Sequence, residues 1–394
     1  MAKLIEITGK ALSGEWGTDD IDGTGIPVLR TTNFTNDGIV SYENVVSRTI
    51  AKKNIEEKYL KTGDIIIEKS GGSDKQPVGR VVFYDGPEHM YLFNNFTGLL
   101  RVKDREKWDP KYIFYSLFFN YIKGGTKAYE NKTTGLHNLK TDDYVSKYEV
   151  KEIDIERQRA KCKRLDMLYE IIRLQRSQII KFDELIKSRF VEMFGDPSVN
   201  PKEWDLFPLL ELGNCKNGMN FNKDETGVEL KYLGVGDFQD KAFINVVEDL
   251  DLISLNEMPK SEYLLRDGDI VFVRSNGSKE LVGRCLVIYP GDIPTTYSGF
   301  CIRWRKKTDL IMPIYLVYTL KCESIRQKMV GRGANIQNLN QQILGQLNIP
   351  VPPLWLQQNF ATFVQEIDKS KSTVQKRLNK LQTLQKSLMQ QYFG

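Results

Sequence analysis

Two polar, glycine-rich stretches hold many of the side chains in this chain that could meet a ligand. One is Lys69-Ser70-Gly71-Gly72-Ser73-Asp74-Lys75-Gln76; the other is Arg274-Ser275-Asn276-Gly277-Ser278-Lys279. Small residues let a backbone approach a phosphate, and Lys, Arg, Asn and Gln are the side chains that read base edges. A second place of this kind runs from Lys127 to Asn138, with Lys132, Thr133 and His137 as candidates. Residues 332–338 parallel it, with candidates Arg332, Asn335 and Gln337, and Arg303-Trp304-Arg305-Lys306-Lys307 adds a basic run with an aromatic. Taken singly, each stretch also reads as a solvated turn. The case for binding is that one loop chemistry recurs at equivalent places with different letters, as two heads reading two different sequences require.

Constellations for bond-making are missing. The chain has no GxxxxGK[ST] phosphate loop, no GxGxxG behind a strand, and no Asn-Pro-Pro-aromatic or Asp-Pro-Pro-aromatic tetrad. Asp142 with Glu149-Val150-Lys151 resembles the acidic pair and lysine of a metal-dependent nuclease, at a loose spacing that charged chains reach by chance. Asp64 and Asp269 follow glycines at strand starts and read as turn caps. With only two histidines, His89 and His137, a His-based metal site is not expected. Five cysteines without CxxC spacing read as reduced, mostly buried thiols of a cytoplasmic protein. Net charge is +5, from 56 basic and 51 acidic residues, so any surface for nucleic acid must be locally basic. No apolar run approaches the roughly 18 residues that span a bilayer, so no membrane partner is expected.

The elements that must position the loops occur twice. Leu4-Ile5-Glu6-Ile7 answers Leu209-Leu210-Glu211-Leu212, Asn33-Phe34 answers Asp237-Phe238, and Gly63-Asp64-Ile65 answers Gly268-Asp269-Ile270. Gly79-Arg80 pairs with Gly283-Arg284 and Asn138-Leu139 with Asn338-Leu339, all at offsets between 200 and 205 positions. Short apolar runs behind the Gly-Asp turns read as buried strands, and helices are expected over Pro110–Tyr121 and Pro313–Val330. Each half then ends in a long heptad seam. The first is Leu165, Leu168, Ile172, Ile179, Phe182 and Ile186; the second is Val364, Ile367, Val374, Leu378 and Leu381, with Leu388 beyond. Gly195-Asp196-Pro197 stops the first helix and Ile349-Pro350-Val351-Pro352-Pro353 leads into the second.

With these features in place, the chain resembles the specificity subunit of type I restriction-modification systems. The residues that carry the resemblance are 185–197 (Leu-Ile-Lys-Ser-Arg-Phe-Val-Glu-Met-Phe-Gly-Asp-Pro), Ile349 to Leu354 with Gln357, and 384–390 (Leu-Gln-Lys-Ser-Leu-Met-Gln). The first helix departs from the pattern at its start, where Lys151, Ile153 and Asp154 stand in place of prolines. The resemblance implies an α+β fold: two pseudo-repeated mixed α/β target-recognition domains separated by an antiparallel two-helix coiled coil, formed by the long helix at the end of each repeat. The corresponding division is 1–153 and 196–352 for the target-recognition domains, and 154–195 and 353–394 for the spacer helices. Residues 158–193 would make a rod of about 54 Å, matching roughly 16 base pairs of duplex.

The resemblance also implies a non-catalytic protein that reads one half of a bipartite double-stranded DNA site with each domain. Two methyltransferase subunits carrying S-adenosylmethionine would dock on it, and motor-nuclease subunits using ATP and magnesium would join for restriction. No cofactor or metal is expected in this chain. A coiled-coil scaffold joining two protein-binding domains suits the duplication and the missing active site equally well, but not the basic glycine-rich loops.

Overall fold

The computed structural model describes the chain from Met1 to Gly394 apart from residues 52–54, 134–135, 223, 240, 279 and 331–337, and apart from the side chains of 132, 133 and 136. The described helices are Leu4–Thr8 (α1), Pro110–Ile122 (α2), Thr141–Lys147 (α3), Ile155–Phe194 (α4), Leu209–Leu212 (α5), Pro313–Lys321 (α6), Glu323–Val330 (α7), Gln341–Gly345 (α8) and Leu354–Phe393 (α9). The chain divides into two compact units, residues 1–176 with 376–394 and residues 177–375, so each unit takes part of both long helices.

In the first unit, Ala2–Lys3 pairs with Glu149–Val150 and α1 follows at once. An antiparallel sheet runs Leu12–Ser13, Thr97–Leu100, Ile65–Glu68, Val81–Phe83. A second sheet runs Thr18–Asp19, Val46–Thr49, Ile26–Leu29, Leu92–Phe93, its last pair parallel. The second unit repeats the plan. Leu206–Pro208 pairs with Asn348–Pro350 ahead of α5. The main sheet runs Gly213–Asn217, Cys301–Lys306, Asp269–Val273, Cys285–Ile288, Phe243–Ile244, and Val228–Leu233 lies between Leu252–Leu255 and, in parallel, Thr295–Tyr297. The last strand pair of the main sheet has its counterpart in the first unit as a single bridge, Ile39 to Phe83, at the same alignment as Phe243 to Val287.

The residues that match between the halves are those that fix the backbone. Gly63 and Gly268 sit at φ +96° and +84°, a region open to glycine at little cost, and each starts a central strand. Asn33 and Asp237 each end a short 3₁₀ turn and accept a backbone N–H three residues back, from Arg30 at 3.1 Å and from Gly234 at 2.8 Å.

Both long helices have 40 residues. In the first unit Lys161 Nζ donates to the Tyr392 carbonyl, and Tyr169 hydrogen-bonds Gln385. In the second, Lys371 Nζ meets Asp183 at 2.6 Å and the Phe190 ring lies 5.4 Å from Phe360. Within each unit the partners on α9 fall in number as those on α4 rise, so the helices run antiparallel. Of the seam, Leu165, Leu168, Ile172, Ile186, Val364, Val374 and Leu378 are buried; Ile179, Phe182, Ile367, Leu381 and Leu388 are half-buried. The missing prolines do not alter the first helix's start. Asp154 Oδ1 accepts the Arg157 N–H at 2.8 Å as an N-cap, and α4 begins 199 positions before α9. Gly195 at φ +73° donates to the Val191 carbonyl and ends α4.

Two expectations need correction. The helix expected over Pro313–Val330 is two helices, because Cys322 is extended (φ −61°, ψ 132°) between α6 and α7. The basic run 303–307 is a basic surface only at its end, where Lys306 and Lys307 are exposed; its first residues lie in a strand whose alternate side chains enter the cores on the two faces of the sheet. Arg303 and Trp304 are buried, Arg305 pairs with Asp269, and Lys306 pairs with Asp309.

Candidate nucleic-acid interface

Asp64 and Asp269 cap their turns, accepting the N–H of Lys61 and of Arg266, both at 2.8 Å. Each also holds an arginine by two bonds. Arg101 reaches Asp64 at 2.8 and 2.6 Å, and Arg305 reaches Asp269 at 2.8 and 2.7 Å. The hydrogen bonds to Asp64 hold the Arg101 guanidinium above its ordinary pKa. This pair fixes the start of the central strand in each unit, and the candidate loop leaves from that strand's far end.

There the backbone is the same in both units. The N–H groups of Lys69 and Ser70 donate to the Phe96 carbonyl at 2.8 and 3.2 Å, and those of Arg274 and Ser275 to the Phe300 carbonyl at 2.8 and 3.3 Å. The carbonyls of Lys69 and Arg274 in turn accept the N–H of Leu139 at 2.8 Å and of Leu339 at 2.7 Å. Both glycine-rich stretches are therefore pinned against the second candidate stretch of their own unit. Ser70–Gly72 forms a strand on Leu136–Leu139 and Ser275 bridges Asn338. The first three of these residues are thus strand rather than free loop.

The side chains differ between units. Lys69 is half-buried with Nζ 3.0 Å from Ser13 Oγ, and burial lowers its pKa. Ser73 and Gln76 close a turn by exchanging backbone hydrogen bonds at 2.7 and 3.1 Å, and Gln76 Nε2 donates to Asn36 Oδ1 at 3.1 Å. Gly71, Ser73 and Lys75 are exposed. In the second unit Asn276, Gly277 and Ser278 are exposed, and Asn276 Oδ1 accepts the Ser278 N–H at 2.8 Å. Arg274 and Ser275 are half-buried. A concavity of about 600 Å³ opens here, lined by Ser275, Asn276 and Gly277 together with Tyr232, Phe300 and Asn338.

His137 is a correction. It is 7% exposed, with Nδ1 at 2.6 Å from Glu130 and Nε2 at 3.7 Å from Asp74, so its ring is held among carboxylates rather than offered to a ligand. Lys279, Arg332, Asn335 and Gln337 lie outside the described residues, as do the side chains of Lys132 and Thr133. Among the described residues no group of three or more His, Cys, Asp or Glu side chains could hold a metal ion, and no helix is long and apolar enough to cross a membrane. All five cysteines are free thiols, and burial pushes Cys215, Cys285, Cys301 and Cys322 up to about 12.

Two glutamines that the seam pattern does not single out tie the long helices to their units. Gln158 is fully buried, accepts the Asp109 N–H at 2.9 Å and donates to the carbonyls of Lys107 (3.0 Å) and Ile153 (2.8 Å). Gln357 does the same 199 positions later, with Met312 N–H (2.8 Å) and the carbonyls of Leu310 (2.9 Å) and Pro352 (2.8 Å).

One backbone frame built twice, with different side chains at the same rim, makes this a protein of paired recognition domains. Residues 2–181 and 201–383 match the type I restriction modification DNA specificity domain, and the chain belongs to that family. The type I restriction enzyme StySPI specificity subunit of Salmonella potsdam is 25% identical, over 98% of this chain and 84% of that protein. The EcoKI specificity subunit of Escherichia coli (strain K12) is 23% identical, over 90% of this chain and 78% of its own length. The crystal structure of the S subunit of a type I restriction-modification system from M. genitalium shares the fold, with a TM-score of 0.61 at 17% identity, over 100% of this chain and 95% of that one. This chain is a specificity subunit with two target-recognition domains. It supplies DNA sequence specificity, and catalysis lies in other subunits.

Proposed function

We propose that each unit reads one half of a split double-stranded DNA site through the rim of its glycine-rich stretch. The contacts are Lys69, Ser70, Gly71, Gly72, Ser73, Lys75 and Gln76 in the first unit, and Arg274, Ser275, Asn276, Gly277 and Ser278 in the second. The observation that supports this reading is the shared frame: the same three backbone hydrogen bonds hold both stretches while their exposed letters differ. A frame fixes register on the duplex, and the letters it presents decide which bases fit. The candidate side chains outside the described residues belong to the same proposal.

The long helices act as the spacer between the two heads and dock two methyltransferase subunits on faces away from their seam. S-adenosylmethionine then belongs to those partners, and ATP and magnesium to the motor-nuclease subunits, all in the cytoplasm. Mapping methylated adenines in the host genome tests the reading. A motif of two short specified blocks around unspecified bases is expected; one unbroken block rules out two heads.

A further inference from the structure

The turn that receives the candidate stretch carries the same unusual residue in both units. Thr97 N–H closes onto the Asn94 carbonyl at 3.0 Å, and Cys301 N–H onto the Ser298 carbonyl at 2.9 Å. The third residue of each turn is a phenylalanine, Phe96 and Phe300, 204 positions apart. Its carbonyl accepts two N–H groups from the basic residue and serine opposite, so the backbone beneath the ring is tied at both ends. The ring nonetheless points out, with Phe96 52% and Phe300 59% exposed. The residue after each is fully buried, so these turns had an inward position available and did not place the ring there. In the second unit Phe300 forms part of the wall of the concavity that Ser275, Asn276 and Asn338 line with polar groups.

A large apolar ring held out on a fixed turn keeps unfavourable contact with water until something covers it. Beside amide, hydroxyl and cationic groups, what such a ring can meet on DNA is a base: a thymine methyl in the groove or the flat face of an exposed base. We propose that Phe96 and Phe300 are the apolar base contacts of the two target-recognition domains, each adding a base-discriminating contact beside the polar groups of its loop. This rests on the split-site reading above. The rings would supply specificity that neither charge nor hydrogen bonding provides, one for each half-site.

The test uses the full chain and a fluorescent duplex bearing the motif found by methylated-adenine mapping, titrated against a scrambled duplex at several salt concentrations. Phe96→Ala and Phe300→Ala should each lose roughly ten- to hundredfold of the preference for the mapped duplex. Each should relax one position in its own half-site, with an unchanged salt slope, since no phosphate contact is removed. Replacing thymine by uracil at the relaxed position separates the sources: an equal loss assigns the methyl, no loss the base face. Phe300→Leu, which keeps apolar bulk without a flat ring, guards against damage to the fold. Variants that melt and discriminate like the wild type overturn the inference while leaving the split-site reading in place. So do variants that discriminate normally but no longer capture the methyltransferase subunit, because the rings then cover a protein. A wild-type chain indifferent between the two duplexes removes the split-site reading and this inference with it.

Discussion

Gln158 and Gln357 show how much a single side chain can hold at the base of a long helix. Each accepts one backbone N–H and donates to two backbone carbonyls from a fully buried side chain. A buried polar group left without a partner costs about 1–3 kcal/mol. Gln357→Leu strands an N–H and two carbonyls, so a loss of about 3 kcal/mol or more in denaturant unfolding is expected, and a loss under about 0.5 kcal/mol would show the latch to be idle. The Arg305–Asp269 pair carries a second prediction. Asp269 is 1% exposed, and taking away its partner leaves a buried charge, which costs about 3–5 kcal/mol. Arg305→Leu should therefore lower stability by that amount while leaving the salt slope of DNA binding at its wild-type value. A slope reduced by about 0.9 would instead mark Arg305 as a phosphate contact. The basic run around it could not be judged from composition, because its fate depends on strand period and on an aspartate 36 positions away. The aligned Gly-Asp turns were legible, since φ and capping dictate which residues fit there.

At the scale of elements, the seams mark which side of α4 and α9 is covered, and burial grades them. Leu165 is fully buried within the first unit's core, packed with Cys162, Met389 and Tyr392. Ile180, on the same helix, is 59% exposed. Leu165→Ala should cost about 2–5 kcal/mol through lost transfer energy and a residual cavity. Ile180→Ala should stay within about 0.5 kcal/mol. Thermal unfolding of the two variants side by side measures the contrast, and equal shifts would contradict the division of the helix into a covered seam and an exposed face. Period alone revealed these helices because 40 residues give the pattern many turns to repeat. Strand Ser70–Gly72 stayed hidden for the opposite reason. It is three residues of low strand propensity, and only its pairing with Leu136–Leu139 makes it a strand.

For the whole molecule, duplication lets one chain specify two different half-sites with one frame, so the spacer is the quantity that joins them. If the long helices set the gap between half-sites, their length and the gap must change together. Seven residues, two helical turns, inserted at facing positions of α4 and α9 would preserve both seams, because a heptad returns each side chain to the same face. The rods would each lengthen by about 10.5 Å, which is roughly three base pairs. Mapping methylated adenines in cells carrying the lengthened chain should recover both half-sites with their letters unchanged and about three more unspecified bases between them. The same insertion in α4 alone puts the helices out of step and should abolish methylation rather than lengthen the gap. An unchanged gap after paired insertion would mean that something other than the helices measures the site, and the spacer role would pass to the partner subunits.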